Sequence, residues 1–207
     1  QLAHHLRGRL QRGAPYAQAL AAAAAGSHLQ RAVFELEGED ASAQAAGVLF
    51  AREGVVEQQV LARHGAARTR SGAEVLALAG GPAHVVANAH TAIAPGCDEA
   101  QARQRLAGVP THGQPRIVLR PHLDIRHDNV QAAHGATWGA LPEDALFHAR
   151  QRGLDEATAK SLLLAGLAGA ALARAVDGAS LPPALRLDET LAAALACQLG
   201  ETEARHG

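Results

Sequence analysis

Three histidines lie close together in the chain and are the first residues whose type and spacing could do chemistry. They are His122, His127 and His134, out of a total of 12 histidines. Neutral imidazole is a common ligand for iron and zinc, so such a group can hold a metal ion. Histidines that decorate solvent-facing turns are the alternative, and we favour that interpretation for His122 and His127.

The other potentially reactive residues indicate little chemistry. Two cysteines, Cys97 and Cys197, are too few for a disulfide framework, which favours the cytoplasm as the compartment. We expect Cys97 to be a buried structural thiol and Cys197 to pack within a helix. Ser71 is not part of a GxSxG elbow, which argues against a serine hydrolase. No GxxxxGK(S/T) motif is present, so we expect no ATP site in this chain.

An enzyme remains the competing functional class. Enzymes need acids and bases that converge in one cleft, and only Asp124 and Asp128 beside His127 offer them. These residues would suit a metal-dependent lyase or hydrolase. A free-standing protein that only binds a partner is a third hypothesis.

Composition excludes some partners. The formal net charge of −1 argues against nucleic acid or an anionic membrane held by bulk electrostatics. The longest apolar run, residues 162–173, is shorter than a bilayer requires. Hydrophobic residues make up 48% of the chain but aromatic residues only 2%, so we expect a core of Ala, Val and Leu.

The elements that must position these residues change character along the chain. Short runs rich in Val, Leu and Ile, separated by Gly, Pro and acidic turns, predict strands. Their spacing fits a sandwich or a solenoid, and the low aromatic content slightly favours a solenoid. Residues 98–106 predict a helical or loop interruption, and residues 16–25 are ambiguous because Ala favours helix. The predicted strands are residues 28–37, 42–50, 55–64, 74–78, 84–93 and 116–125.

Helices are predicted after Leu141. The first helix has a start signal in Pro142 followed by acids in the first turn. Its stop signal is Arg150 and Arg152 in the last turn with Gly153 beyond it. A second helix over residues 154–176 would start at Asp155 and present Ala159, Leu162, Leu163, Leu167 and Ala170 on one face. A last helix would span residues 188–199. The predicted division is a β core over residues 1–141 and a helical region over residues 142–207, with Trp138 buried at the junction.

A motif at this junction resembles a known family. The string His134-Gly135-Ala136-Thr137-Trp138-Gly139 and the following LFxxxxRG pattern resemble the signature of SufB/SufD scaffolds of iron–sulfur cluster assembly, specifically the SufD branch. SufB has His-Glu-Ala at the first three positions. Supporting matches are FELEGEDA from Phe34, Ala94-Pro95-Gly96, and Pro121-x-Leu123-x-Ile125. Family members are about twice this length, so the chain is expected to be the C-terminal part of one.

The resemblance implies a fold and a function. The fold would be a right-handed parallel β-helix with residues 16–25 as a strand, followed by a small helical region. The function would be that of a non-enzymatic scaffold, pairing with a SufB-like paralogue, or with a second copy in isolation, and docking a SufC-like ATPase. His134 would act on a transient iron–sulfur cluster, as a metal ligand, at the SufB interface. Helix residues Phe147 and Leu163 would anchor the ATPase, with Arg150 and Arg152 at the rim.

Departures from the family pattern favour a mainly structural role. Ala132 stands where many members have cysteine, and thiolates are the chief ligands of iron–sulfur clusters. Ser71 is kept from a Ser-x-Gln-x-x-Arg-Gly run, but Ala73, Leu76 and Ala77 replace its other residues.

Overall fold

The computed structural model describes residues 2–24 and 26–175, which form ten strands followed by two helices. Each strand alternates inward and outward side chains, as the period of two requires. The strands are β1 (Leu2–Leu10), β2 (Pro15–Ala24), β3 (Ser27–Leu36), β4 (Ser42–Ala51), β5 (Val55–His64), β6 (Arg70–Gly81), β7 (His84–Ile93), β8 (Ala100–Gly113), β9 (Arg116–Ile125) and β10 (Val130–Trp138), and the helices are α1 (Glu143–Gln151) and α2 (Glu156–Ala175).

Successive strands alternate between two five-stranded sheets. Sheet A has the order β1-β3-β5-β7-β9 and sheet B the order β10-β8-β6-β4-β2. Every neighbouring pair is parallel. Each coil therefore contributes one strand to each sheet, and the coils stack as a parallel β-solenoid. The prediction of a parallel β-helix is confirmed, and the sandwich alternative is wrong.

Small aliphatic side chains fill the space between the sheets, as the composition predicted. The interior is largely Ala, Val and Leu with a single central Phe34, and the Tyr16 ring packs 5.2 Å from it. A thin interior of this kind lets the two sheets approach closely. Residues 16–25 were ambiguous, and Pro15–Ala24 forms strand β2 because its alternate residues join this core.

Stacked turns connect the sheets along one side. Asp40, Arg68 and Glu99 occupy equivalent left-handed positions, with φ of 61°, 56° and 58°. The Arg68 amide donates to the carbonyl of Asp98 at 2.7 Å, one coil further on. A Cβ added to Gly38 would lie 2.0 Å from the backbone nitrogen of Arg12, so this turn tolerates only glycine.

The prediction of a helical or loop interruption over residues 98–106 is wrong. This stretch begins β8, which at 14 residues is the longest strand. Ala102, Gln104 and Leu106 are buried, whereas Arg103 and Arg105 between them are exposed. The alternation has a period of two, so the strand pattern prevailed over the helix propensity of Ala, Gln and Arg.

The two helices follow the predicted boundaries closely. Pro142 is the N-cap of α1 rather than its first helical residue, and Gly153 follows the C-cap with φ of +87°. Asp155 caps α2 as predicted, because its Oδ1 accepts a hydrogen bond from the Thr158 amide at 2.8 Å. The predicted helix over residues 188–199, with Cys197, lies outside the described residues.

Helix α2 packs on the outer face of sheet B, but through a different face from the one predicted. The buried stripe is Ala159, Leu164, Ala168, Ala171 and Leu172, and the sheet supplies Phe50 and Leu78. Leu162, Leu167 and Ala170 are exposed instead. The helix is apolar on most sides, so several stripes have helical spacing and the period could not select one.

Among the described residues, α2 is also the one helix long and apolar enough, by length and composition alone, to cross a membrane. The qualifying segment is Glu156–Arg174. The apolar run of residues 162–173, considered alone in the sequence, therefore underestimated the length of this apolar helix.

Candidate functional site

The last coil of the solenoid, formed by β9 and β10, is where the candidate residues gather. Each of these strands is the outermost strand of its sheet, so neither has a neighbour on its far side among the described residues. His134 lies exposed on β10, at the edge of the β region, as expected. Its partner in register is Gln104 of β8.

Gln104 connects the two sheets behind His134. Its side chain is buried, and Nε2 donates to Oγ1 of Thr91 at 2.8 Å and to the carbonyl of His122 at 2.9 Å. Because partners in register share a face of the sheet, His134 lies on the interior-facing side of β10. The candidate histidine therefore stands at the open end of a polar layer that reaches across the solenoid.

The three clustered histidines do not form a group. His122 lies on the outer face of sheet A, where its ring contacts that of His90. His127 lies in the loop before β10, and its Nε2 is 2.9 Å from Oδ1 of Asp98. Nearness in sequence did not bring these side chains together, because successive strands belong to opposite sheets.

The predicted acid–base group of the enzyme hypothesis is not assembled either. His127 pairs with Asp98 rather than with Asp124 or Asp128, and this contact lowers the pKa of Asp98. Asp124 binds the guanidinium of Arg126 at 3.0 Å and 3.2 Å, which lowers the pKa of Asp124. These carboxylates are bound to bases on the surface rather than aimed into a cleft.

A buried polar group that the sequence did not reveal lies around His64. Oγ1 of Thr69 donates to the carbonyl of Ala66, so it accepts from Nδ1–H of His64 at 2.7 Å. Nε2 of His64 accepts from the Ser71 hydroxyl at 2.8 Å. Burial lowers the pKa of His64 to about 4, so this imidazole is neutral.

Cys97 is a structural thiol, as expected. Its side chain is buried, and Sγ donates to the carbonyl of His64 at 3.3 Å. Burial raises the pKa of this thiol above its usual value, which disfavours the reactive thiolate.

Trp138 is not the buried anchor that was predicted. Its side chain is 68% exposed at the end of β10. The ring lies over Gly108, since a Cβ added there would be 3.3 Å from Cδ1 of Trp138. It thus covers part of the open end of the core, and no further coil among residues 2–24 and 26–175 covers its outer side.

The predicted docking residues on the helices divide into two groups. Phe147 is 58% exposed, and Arg150 and Arg152 are also exposed on or beside α1. Leu163 is partly buried against the contact between α2 and sheet B. Leu162, at 61% exposure, is the most exposed large apolar residue of α2 among the described residues.

A basic groove crosses the starts of the sheet B strands. It has a volume of about 1050 Å³ and is lined by Arg70, Arg103 and Arg174 together with Gln44 and Gln101. Arg174 is bound to Glu74 at 2.7 Å, which joins the end of α2 to the sheet. The groove is thus partly neutralised.

Comparisons with known proteins agree with this architecture. Residues 2–167 match the SUF system FeS cluster assembly SufBD core domain. The chain is 38% identical over 68 residues to an iron–sulfur cluster assembly SufBD family protein of Synechocystis, an alignment of 33% of this chain and 15% of that protein. It is 30% identical over 85 residues to the iron–sulfur cluster assembly protein SufD of Escherichia coli, covering 41% of this chain and 18% of that protein.

The aligned segments thus span less than a fifth of each curated relative. The family match, by contrast, extends through all ten described strands into α2 and covers most of the chain. With its parallel solenoid and terminal helices, the chain belongs to the SufBD core domain family of the SUF system of iron–sulfur cluster assembly.

Proposed function

We propose that this chain is a non-catalytic, cytoplasmic scaffold subunit of a SUF iron–sulfur cluster assembly complex. It pairs with a SufB-like paralogue and docks a SufC-like ATPase, and the cluster is a transient cargo of the assembled complex. The observation that carries the proposal is the position of His134, exposed on the outermost strand of a solenoid whose sequence matches the family.

The pairing surface is the last coil. Within the part of the chain that the structure describes, the outer edges of β9 and β10 have no neighbouring strand, and such edges are templates for another strand. Exposed apolar side chains, Ile125 and Trp138, lie at the ends of the same two strands. A partner with a similar edge would extend both sheets and bury these side chains. In isolation, a second copy of the chain supplies the same edge and gives a homodimer.

The docking surface for the ATPase is the exposed side of the helices. Phe147 and Leu162 offer apolar anchors, and Arg150 and Arg152 supply charge at the rim. Interfaces depend on a few anchors of this kind near their centre. The partly buried Leu163 supports the surface from beneath.

His134 contributes an imidazole to cluster building at the pairing surface. Imidazole can replace thiolate on iron in some clusters. Because Ala132 stands where a thiolate would be expected, the partner supplies most ligands of the cargo. No specific observation favours the enzyme alternative, since Asp98, Asp124 and His127 are committed to surface pairs.

Co-expression with a SufB-like and a SufC-like protein tests the proposal. We expect one complex in size-exclusion chromatography that contains all three chains and accumulates iron and sulfide. A Trp138→Lys variant should weaken pairing, whereas Leu29→Lys, which alters an exposed apolar residue of sheet A, should not. Separate elution of the three wild-type chains would overturn the proposal.

A further inference from the structure

Two histidines on the outer face of sheet A form a close pair that the proposed function does not use. His90 on β7 and His122 on β9 are direct partners in register. Their ring centres are 4.6 Å apart and the rings are nearly perpendicular, at 80°. Both residues are exposed, so the pair faces solvent.

The arrangement suits a shared cation. An imidazole binds zinc through a nitrogen at about 2 Å, so two imidazoles on one tetrahedral ion have ring centres about 5.2 Å apart. The observed separation of 4.6 Å is about 0.6 Å shorter than this value, so the rings need to move apart only slightly to share an ion. Rotation about the side-chain bonds, without movement of either strand, can therefore turn one nitrogen of each ring to a common point.

We propose that His90 and His122 form a binding site for a first-row divalent transition metal such as zinc or iron(II). Imidazole is the protein ligand best suited to this class of metal. The described residues contain no group of three or more His, Cys, Asp and Glu side chains able to hold a metal ion. The site therefore has two protein ligands, and water completes the coordination.

Two charged groups lie near the pair. Asp124 interacts electrostatically with both His90 and His122, and Arg63 interacts with His90. The Asp124 carboxylate offsets the repulsion that Arg63 exerts on a bound cation.

The site differs from the candidate cluster site in place and chemistry. His122 lies in sheet A and His134 in sheet B, although Gln104, the register partner of His134, binds the His122 carbonyl. A metal held by His90 and His122 would require neither a partner protein nor a cluster. The proposal therefore stands independently of the proposed function.

The experiment measures zinc binding to the full chain. A ligand that joins β7 to β9 in the folded state raises the urea midpoint, and the stabilisation grows with the logarithm of the ligand concentration relative to its Kd. We expect zinc to raise the midpoint of the wild-type protein, and His122→Ala or His90→Ala to weaken zinc binding at least tenfold in calorimetry. His5→Ala, an exposed histidine on the same sheet without a histidine partner, is the matched control.

The outcome distinguishes this pair from the other histidines. Equal affinity and stoichiometry in wild type, His90→Ala and His122→Ala would overturn the proposal. If an alanine variant unfolds, His122→Gln retains the polar surface and is measured in its place, with the same tenfold loss expected. Cobalt(II) in place of zinc should give an absorption spectrum that depends on both histidines and not on His5.

Discussion

Nε2 of His64 accepts a hydrogen bond from the Ser71 hydroxyl at 2.8 Å inside the solenoid. Thr69 accepts from the other ring nitrogen at 2.7 Å, so both nitrogens of the buried, neutral imidazole have hydrogen-bond partners. Protonation would place a charge in the interior of the solenoid, and this desolvation lowers the pKa of His64. Burial of this imidazole therefore makes stability depend on pH.

We predict that stability falls as the pH is lowered from about 6.5 to about 4. The pKa of His64 is about 4 in the folded protein, against 6.5 for an ordinary histidine. Between these values the unfolded chain binds more protons, so acid favours unfolding. The contribution is present in full above the unfolded pKa and amounts to about 3 kcal/mol at most.

Urea unfolding at pH 7 and pH 5 measures this effect. His64→Asn removes the titrating group, so its unfolding free energy should change less between the two pH values than that of the wild type. A wild-type protein equally stable at both values, or a variant with the same pH dependence, would show that His64 is not the source.

A second prediction concerns the packing of the turns. In a Gly38→Ala variant the new methyl group would lie 2.0 Å from the backbone nitrogen of Arg12 and 2.5 Å from the carbonyl carbon of Gln11. Backbone atoms of a stacked coil cannot move aside as a side chain can. We expect the unfolding free energy to fall by at least about 2 kcal/mol.

Gly26→Ala is the control for this substitution. An added Cβ at Gly26 meets nothing within 4 Å, so the variant should unfold within about 0.5 kcal/mol of wild type. If the two substitutions lower the unfolding free energy equally in chemical denaturation, close packing of the turn is not the reason that position 38 requires glycine.

Sequence patterns predicted most strands because short apolar runs with turn residues between them are local signals. The pairing of those strands is not local, and several errors follow from this. His127 was grouped with Asp124 and Asp128, but the stacking of coils brings it to Asp98 instead. The contact between His90 and His122 also depends on the register of two strands, because these residues are 32 positions apart in the sequence.

Other errors arose where one pattern fits two structures. Trp138 was expected to be buried at the junction of the β core and the helices, yet β10 is the last strand among the described residues and Trp138 is exposed there. The stripe with Leu162 and the stripe with Leu164 both have helical spacing on α2. Only the position of the sheet decides which is buried.

A third prediction tests the docking surface on the helices. Phe147 and Leu162 are exposed, so a Phe147→Ala, Leu162→Ala double variant should keep a free energy of unfolding within about 1 kcal/mol of wild type. It should nevertheless lose at least tenfold in affinity for a SufC-like ATPase in a pull-down titration, since interface anchors dominate binding.

Leu29→Ala is the control, since it removes an exposed apolar side chain from sheet A, away from the helices. The original anchor Leu163 is a less direct test because its truncation also disturbs the packing of α2 on the sheet. Retention of the ATPase by the folded double variant at wild-type affinity would place the docking surface elsewhere.

The last prediction concerns His134. The side chain is exposed and no hydrogen bond or ion pair involves it among the described residues, so His134→Ala should leave the unfolding free energy within about 0.5 kcal/mol of wild type. The complex with SufB-like and SufC-like proteins should still assemble, because strand pairing uses backbone groups. Its iron and sulfide content should fall, because the coil at the pairing surface then offers the cargo no imidazole.

His5→Ala, exposed on the first coil, is the matched control and should retain the cluster. Ala132 is two residues before position 134 and lies on the same face of β10, so Ala132→Cys adds a thiolate next to the lost imidazole. In the His134→Ala background this substitution should recover cluster content if iron binds at this surface. Unchanged iron in the His134→Ala complex would reduce His134 to a structural residue.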